Sequence, residues 1–83
     1  METREERLLE KIGLNLRAER ARRRLTQEAV ARASGLATTQ VARMERGETD
    51  SGISKYLRVA HAIGMDPADL FYGIVEIDID LDD

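Results

Sequence analysis

Thr39 and Arg43 lie four residues apart and can therefore present their polar groups from one face of a helix. Val41 and Met44 recur at the spacing of a buried helical face, which leaves these two residues on the exposed one. Threonine offers a hydroxyl and a methyl group, and arginine offers two parallel N–H donors, a combination that suits the base edges of DNA. Gln40 lies one position round the helix and could reach a base or a phosphate with its amide.

Positive charge is concentrated in the first part of the chain. Residues 1–47 hold 11 Lys or Arg against 7 Asp or Glu, a net charge of +4, and residues 48–83 hold 2 against 9, a net charge of −7. A basic part can face nucleic acid while an acidic part faces away, so the overall charge of −3 does not exclude DNA binding. Arg22, Arg23 and Arg24 could contact phosphates, or could simply form the basic end of a solvated helix.

Composition excludes several other kinds of protein. The 83 residues suffice for one domain, and they contain no cysteine and a single histidine, His61, which cannot hold zinc alone. No apolar run reaches the roughly 18 residues of a membrane helix, and no apolar stretch follows the charged start of the chain. No nucleophile–base pair or phosphate loop is evident. We therefore expect a soluble, cytoplasmic protein that is not an enzyme and uses no metal or cofactor.

Hydrophobic periodicity and capping residues predict an all-α domain of five helices. We predict helices at 3–24, 27–33, 38–46 and 53–63 and a short fifth one after Asp66. Thr3 and Glu6 form a capping box, Thr26 caps the second helix, and Asp66 and Pro67 begin the fifth. The fourth helix is expected to bury Ile53, Leu57, Ala60 and Ile63, and the fifth to bury Leu70 and Phe71.

The tail has a different period, because apolar and acidic residues alternate from Val75 to Asp82. This pattern predicts a β-strand, for which the chain contains no second strand to pair with. We therefore divide the chain into a domain at 1–73 and an acidic strand or tail at 74–83. The strand is predicted to pair between two subunits and to bury Val75, Ile77, Ile79 and Leu81. A disordered acidic end, or a strand offered to a second protein, are the alternatives.

Several blocks of sequence together resemble the Cro/C1-repressor-type (Xre) helix-turn-helix family. They are Leu25-Thr26-Gln27-Glu28, Gly35-Leu36 and Met44-Glu45-Arg46-Gly47 at their mutual spacing, with flanking matches from Ile12 to Phe71. This resemblance implies a lambda-repressor-like fold with the helix-turn-helix at about 26–46, whose second helix enters the DNA major groove.

The resemblance also implies roles for individual residues. Gln27 would contact a phosphate and brace the helix at 38–46, which enters the major groove. Arg20 and Glu45 would form a structural ion pair. The implied DNA-contacting set is Gln27, Thr38, Thr39, Gln40, Arg43, Arg46, Arg23 and Arg24. Four positions depart from the family pattern. Ala37 replaces the usual capping Ser or Thr, so that Thr38 could cap instead, and Ser51 replaces a loop proline. The same loop carries Glu48 and Asp50, whose carboxylates would weaken DNA binding.

These features predict a sequence-specific transcriptional regulator, either a homodimeric repressor or a controller of its own gene, acting on a palindromic operator in double-stranded DNA. One alternative is an antitoxin that binds DNA and also a partner protein through the tail. Another is an interaction module that has lost DNA binding.

Overall fold

The computed structural model describes residues 2–76, which form four α-helices followed by two short 3-10 segments. The helices are α1 (Arg4–Arg22), α2 (Gln27–Ser34), α3 (Thr38–Glu45) and α4 (Ile53–Ile63), and the 3-10 segments are Pro67–Phe71 and Ile74–Glu76. The four α-helices agree with the sequence prediction to within two residues at each end, which is the usual uncertainty of a helix boundary.

Capping side chains start the first two helices, as their sequences predict. The Thr3 hydroxyl accepts the Glu6 N–H at 3.1 Å, and the Glu6 carboxylate accepts the Thr3 N–H at 3.4 Å. The Thr26 hydroxyl accepts the Ala29 N–H at 3.0 Å. Each contact satisfies a backbone donor that has no partner inside the helix.

One apolar core joins all four helices to the first 3-10 segment. Its largest fully buried side chains are Leu16 from α1, Val30 from α2, Val41 and Met44 from α3, Val59 from α4, and Leu70. Because α3 places two side chains in this core, the orientation of its opposite face is fixed by packing.

The predicted inward face of α4 was partly wrong. Ala60 and Ile63 are buried, but Ile53 is 58% exposed and Leu57 is 41% exposed. Tyr56 and Val59 occupy the core instead. The phenol of Tyr56 can be buried because its hydroxyl donates to the Thr49 carbonyl at 2.9 Å, and this turns the helix relative to the predicted face.

The prediction of a fifth α-helix after Asp66 is also wrong. Pro67–Phe71 forms a 3-10 helix, with Asp66 as its cap and Pro67 in its first turn. The Asp69 N–H donates to the Asp66 carbonyl at 2.9 Å, the three-residue spacing of a 3-10 turn. Five residues form too few backbone hydrogen bonds to offset the free-energy cost of nucleating an α-helix. Of the two side chains predicted to be buried here, Leu70 is buried and Phe71 is exposed.

The described part of the tail contradicts the predicted C-terminal strand. Ile74–Glu76 is a 3-10 turn that packs near α1, and Val75 is 93% exposed. Residues 2–76 contain no strand that could serve as a ladder partner, so nothing among them favours an extended backbone here over a local turn. The other predicted dimerisation residues, Ile77, Ile79 and Leu81, lie outside the described residues. The fold of residues 2–76 is therefore all-α without a strand.

Among these residues, none of the helices combines the length and the apolar character that crossing a membrane requires.

Candidate nucleic-acid interface

The two helices α2 and α3 are joined by a tight turn at residues 35–37. Gly35 has a φ of 73°, a left-handed conformation that costs glycine little, and it ends α2. The Leu36 N–H donates to the Ala31 carbonyl at 3.0 Å. From α4, the Arg58 guanidinium donates to the Ser34 carbonyl at 3.0 Å and so holds the end of α2 from outside. This is the geometry of a helix-turn-helix unit.

The outward face of α3 carries polar side chains with no internal role. Thr39 and Arg43 are exposed, and Arg43 makes no hydrogen bond or ion pair within residues 2–76. Thr38 is the first residue of α3 and is half-buried. The expectation that Thr38 caps this helix is wrong, because Ala37 occupies the cap position and supplies no side-chain acceptor. No side chain therefore accepts a hydrogen bond from the first-turn N–H groups of α3, and these donors can bind an anion.

Gln40 is tied to the loop that follows α3. Its amide nitrogen donates to the Ser51 hydroxyl at 2.9 Å, and the Tyr56 hydroxyl holds the neighbouring Thr49 carbonyl. The first contact holds the loop to α3 and the second holds it to α4. Only one of the two amide hydrogens of Gln40 is used by Ser51, so the other can still donate to a ligand.

A charged network lies behind α3. Glu45 is 2% exposed, and its two carboxylate oxygens accept Arg20 Nε at 2.6 Å and Arg20 Nη2 at 3.0 Å. Arg20 also donates to the Leu25 carbonyl at 2.8 Å, and the Gln27 amide donates to Glu45 at 3.1 Å. The Glu45 contact raises the pKa of Arg20 above its ordinary value. The network joins α1, the start of α2 and the end of α3.

Gly13 allows α1 to approach this network closely. A Cβ atom at Gly13 would lie 2.5 Å from the carbonyl oxygens of Met44 and Glu45. The glycine in the middle of α1 therefore has a packing reason, since any side chain would separate α1 from α3.

An open cleft of about 750 Å³ lies on the same side of the molecule. It is lined by residues of α1, the start of α2 and the end of α3: Glu10, Leu14, Arg17, Arg20, Thr26, Gln27, Glu28, Glu45 and Arg46. Gln27 and Arg46 therefore border one surface, at the two ends of the helix-turn-helix unit.

The three arginines at the C-terminal end of α1, Arg22, Arg23 and Arg24, differ in their surroundings. Arg23 pairs with Glu19 and donates to the Gly64 carbonyl at 3.0 Å, which holds it at the end of α4. Arg22 also bonds Glu19, and the two guanidinium groups lower the pKa of that carboxyl. Arg24 has a left-handed backbone with φ of 57°, and its exposed side chain has no partner among residues 2–76.

Sequence reasoning missed three residues that position these elements. Asn15 is buried, and its amide donates to the Leu70 carbonyl at 2.8 Å and the Tyr72 carbonyl at 2.9 Å. A polar residue beside the apolar positions of α1 was the available signal. Ser51 and Arg58 gave none, because their partners are remote in sequence or are backbone carbonyls.

Comparison with known proteins agrees with this geometry. A family model described as a helix-turn-helix domain matches residues 11–70. The restriction-modification controller protein C.AhdI from Aeromonas hydrophila is 36% identical, with a TM-score of 0.72, over 76% of this chain and 96% of that one. The clp gene regulator ClgR from C. glutamicum is 27% identical, with a TM-score of 0.78, over 88% of this chain and 96% of that one. No curated protein is significantly similar to this chain.

The match covers well over half of the chain, and it includes α2, the turn and α3. The predicted resemblance to helix-turn-helix regulators is confirmed. This chain belongs to the helix-turn-helix domain family and is a DNA-binding transcriptional regulator.

Proposed function

We propose that this chain acts on DNA as a homodimer, each copy inserting α3 into the major groove of one half of a palindromic operator. The observation that carries the proposal is the exposed pair Thr39 and Arg43 on α3, opposite the buried Val41 and Met44. One helix of this size spans only a few base pairs, so useful specificity requires two half-sites. The role is that of a cytoplasmic repressor or of a controller of its own gene, and residues 1–73 are its DNA-binding domain.

The proposed DNA contacts divide by chemistry. Thr39 and Arg43 would contact base edges, with Thr38 and Gln40 beside them. Gln27 and Arg46 would contact phosphates from the two sides of the cleft. Arg24, which has no partner among residues 2–76, can attract phosphate, and Arg23 would have to leave Glu19 and Gly64 to do so.

A footprint on DNA from upstream of the chain's own gene tests the proposal. We expect two protected half-sites whose centres are about 34–36 Å apart, related by two-fold symmetry. Light scattering at the same concentration should give a mass twice the 9.3 kDa of one chain. A mass of one chain, with a single unsymmetrical footprint, would contradict the homodimer.

Arg43→Gln tests the base contact separately. Loss of a bidentate arginine–guanine contact should weaken operator binding by about 1–3 kcal/mol, or roughly 5–150-fold, and should relax the preference at one base pair of each half-site. Lys11→Gln is the matched control. Lys11 borders Tyr72 on another face of α1 from the cleft, so its loss should change operator affinity little. Equal effects of the two variants would mean that Arg43 acts only through its charge.

A further inference from the structure

An ion pair between Arg46 and Glu48 lies directly after the end of α3, on the proposed DNA surface. Arg46 Nε lies 2.7 Å from one Glu48 carboxylate oxygen, and Arg46 Nη2 lies 3.0 Å from the other. The two side chains are 55% and 49% exposed. Arg46 also borders the cleft that Gln27 lines, so the pair lies next to a proposed phosphate position.

The Glu48 carboxylate engages Arg46 in the way that a phosphate would. Both anions accept two parallel N–H donors of a guanidinium group, and one guanidinium face cannot serve both at once. An ion pair this exposed is held only weakly, so a phosphate can displace Glu48. A glutamate carboxylate is charged near neutral pH even without a partner, and the hydrogen bonds from Arg46 lower the pKa of Glu48 further.

We propose that Glu48 is a built-in competitor of DNA, which lowers affinity by occupying the Arg46 guanidinium and by repelling the adjacent phosphate. The inference rests on the proposed function, in which Arg46 faces the DNA backbone. It assigns the effect to Glu48 specifically rather than to the acidity of the loop.

Asp50 provides a matched comparison in the same loop. Its carboxylate accepts the Gly52 N–H at 3.3 Å, and no ion pair to it is found within residues 2–76. Asp50→Asn and Glu48→Gln remove the same charge two residues apart, but only Glu48→Gln frees an arginine.

The experiment measures binding of a fluorescein-labelled duplex of arbitrary sequence, about 24 base pairs long, by anisotropy between 50 and 200 mM salt. Phosphate contacts do not depend on sequence, so the operator need not be known. Glu48→Gln should bind roughly 3–10-fold more tightly at 50 mM salt, with a salt slope steeper by about 0.9 for each bound chain. Asp50→Asn should give a much smaller gain.

Arg46→Gln completes the cycle. The gain from Glu48→Gln should disappear when Arg46 is already glutamine, because no guanidinium is left to free. A gain that survives in that background, or an equal gain from Asp50→Asn, would overturn the inference and leave only a general charge effect. Glu48→Ala should reproduce the result of Glu48→Gln, and both variants should melt like the wild type because the pair is exposed.

The outcomes also separate this inference from the proposed function. Binding by the wild type with no change in Glu48→Gln would overturn the inference alone. Failure of the wild type and of Glu48→Gln to bind any duplex at 50 mM salt would overturn both.

Discussion

Replacing Glu45 by glutamine should destabilise the domain more than any other change of a single charge at α3. The substitution keeps the shape of the side chain and removes the charge that faces Arg20. Glutamine retains one carbonyl oxygen as an acceptor, but its NH₂ group would point donors at the donors of Arg20 and Gln27.

The magnitude follows from the burial of the pair. Removing one partner of a buried ion pair costs about 3–5 kcal/mol, because the other charge loses its compensation. Arg20 is 16% exposed and keeps the Leu25 carbonyl, so we expect the lower end, about 3 kcal/mol. A domain of 83 residues has a free energy of unfolding of about 4–12 kcal/mol. The melting temperature should therefore fall by about 12–24 °C.

Thermal unfolding followed by circular dichroism measures this shift, and guanidinium unfolding checks it. Glu48→Gln is the control, since it removes the same chemical group from an exposed pair and should leave the melting temperature nearly unchanged. Duplex binding by Glu45→Gln should also weaken, because Gln27 and the end of α3 lose their common anchor. An unchanged melting temperature together with unchanged DNA affinity would refute the idea that this network braces α3.

Two further predictions concern packing and pH. Gly13→Ala should lower the free energy of unfolding by about 1–3 kcal/mol despite alanine's higher helix propensity, because the new Cβ would meet two carbonyl oxygens at 2.5 Å. The control is Ala18→Gly at an exposed position of α1, which should lower the free energy of unfolding by only about 1 kcal/mol. A Gly13→Ala variant that is more stable than the wild type in urea unfolding would contradict the close approach of α1 to α3. Burial raises the pKa of Tyr56 above that in the unfolded chain, so its contribution to stability is complete below about pH 10 and is lost as pH rises through the folded-state pKa. Urea midpoints from about pH 8 to about pH 11 should therefore fall more steeply in the wild type than in Tyr56→Phe, and parallel curves would show that folding leaves the pKa of the Tyr56 phenol unchanged.

The local signals in the sequence were most reliable where a side chain acts on its own backbone. Thr3, Thr26 and Gly64 mark helix ends through contacts within a few residues, and these ends were predicted correctly. The inward face of α4 was predicted less well, because Ile53 and Tyr56 compete for the core, and the Thr49 carbonyl that satisfies the Tyr56 hydroxyl lies in a loop whose path the pattern does not specify.

The tail shows the limit of periodicity. Alternation of apolar and acidic residues gives two faces to any extended chain, but a strand exists only if another strand satisfies its backbone. The sequence contains the alternation but no partner strand, and Ile74–Glu76 forms a local turn instead.

For the interface, the sequence by itself determined the four α-helices, the turn between α2 and α3, and the exposed pair Thr39 and Arg43, since all depend on helical period and local caps. Only the tertiary structure decided which polar groups are already occupied. Gln40 bonds Ser51, Arg23 bonds Gly64 and Arg46 bonds Glu48, whereas Arg43 has no hydrogen bond or ion pair to any of residues 2–76. The physical reason is that a hydrogen-bond partner is set by the distance between side chains in space, which composition and spacing do not encode.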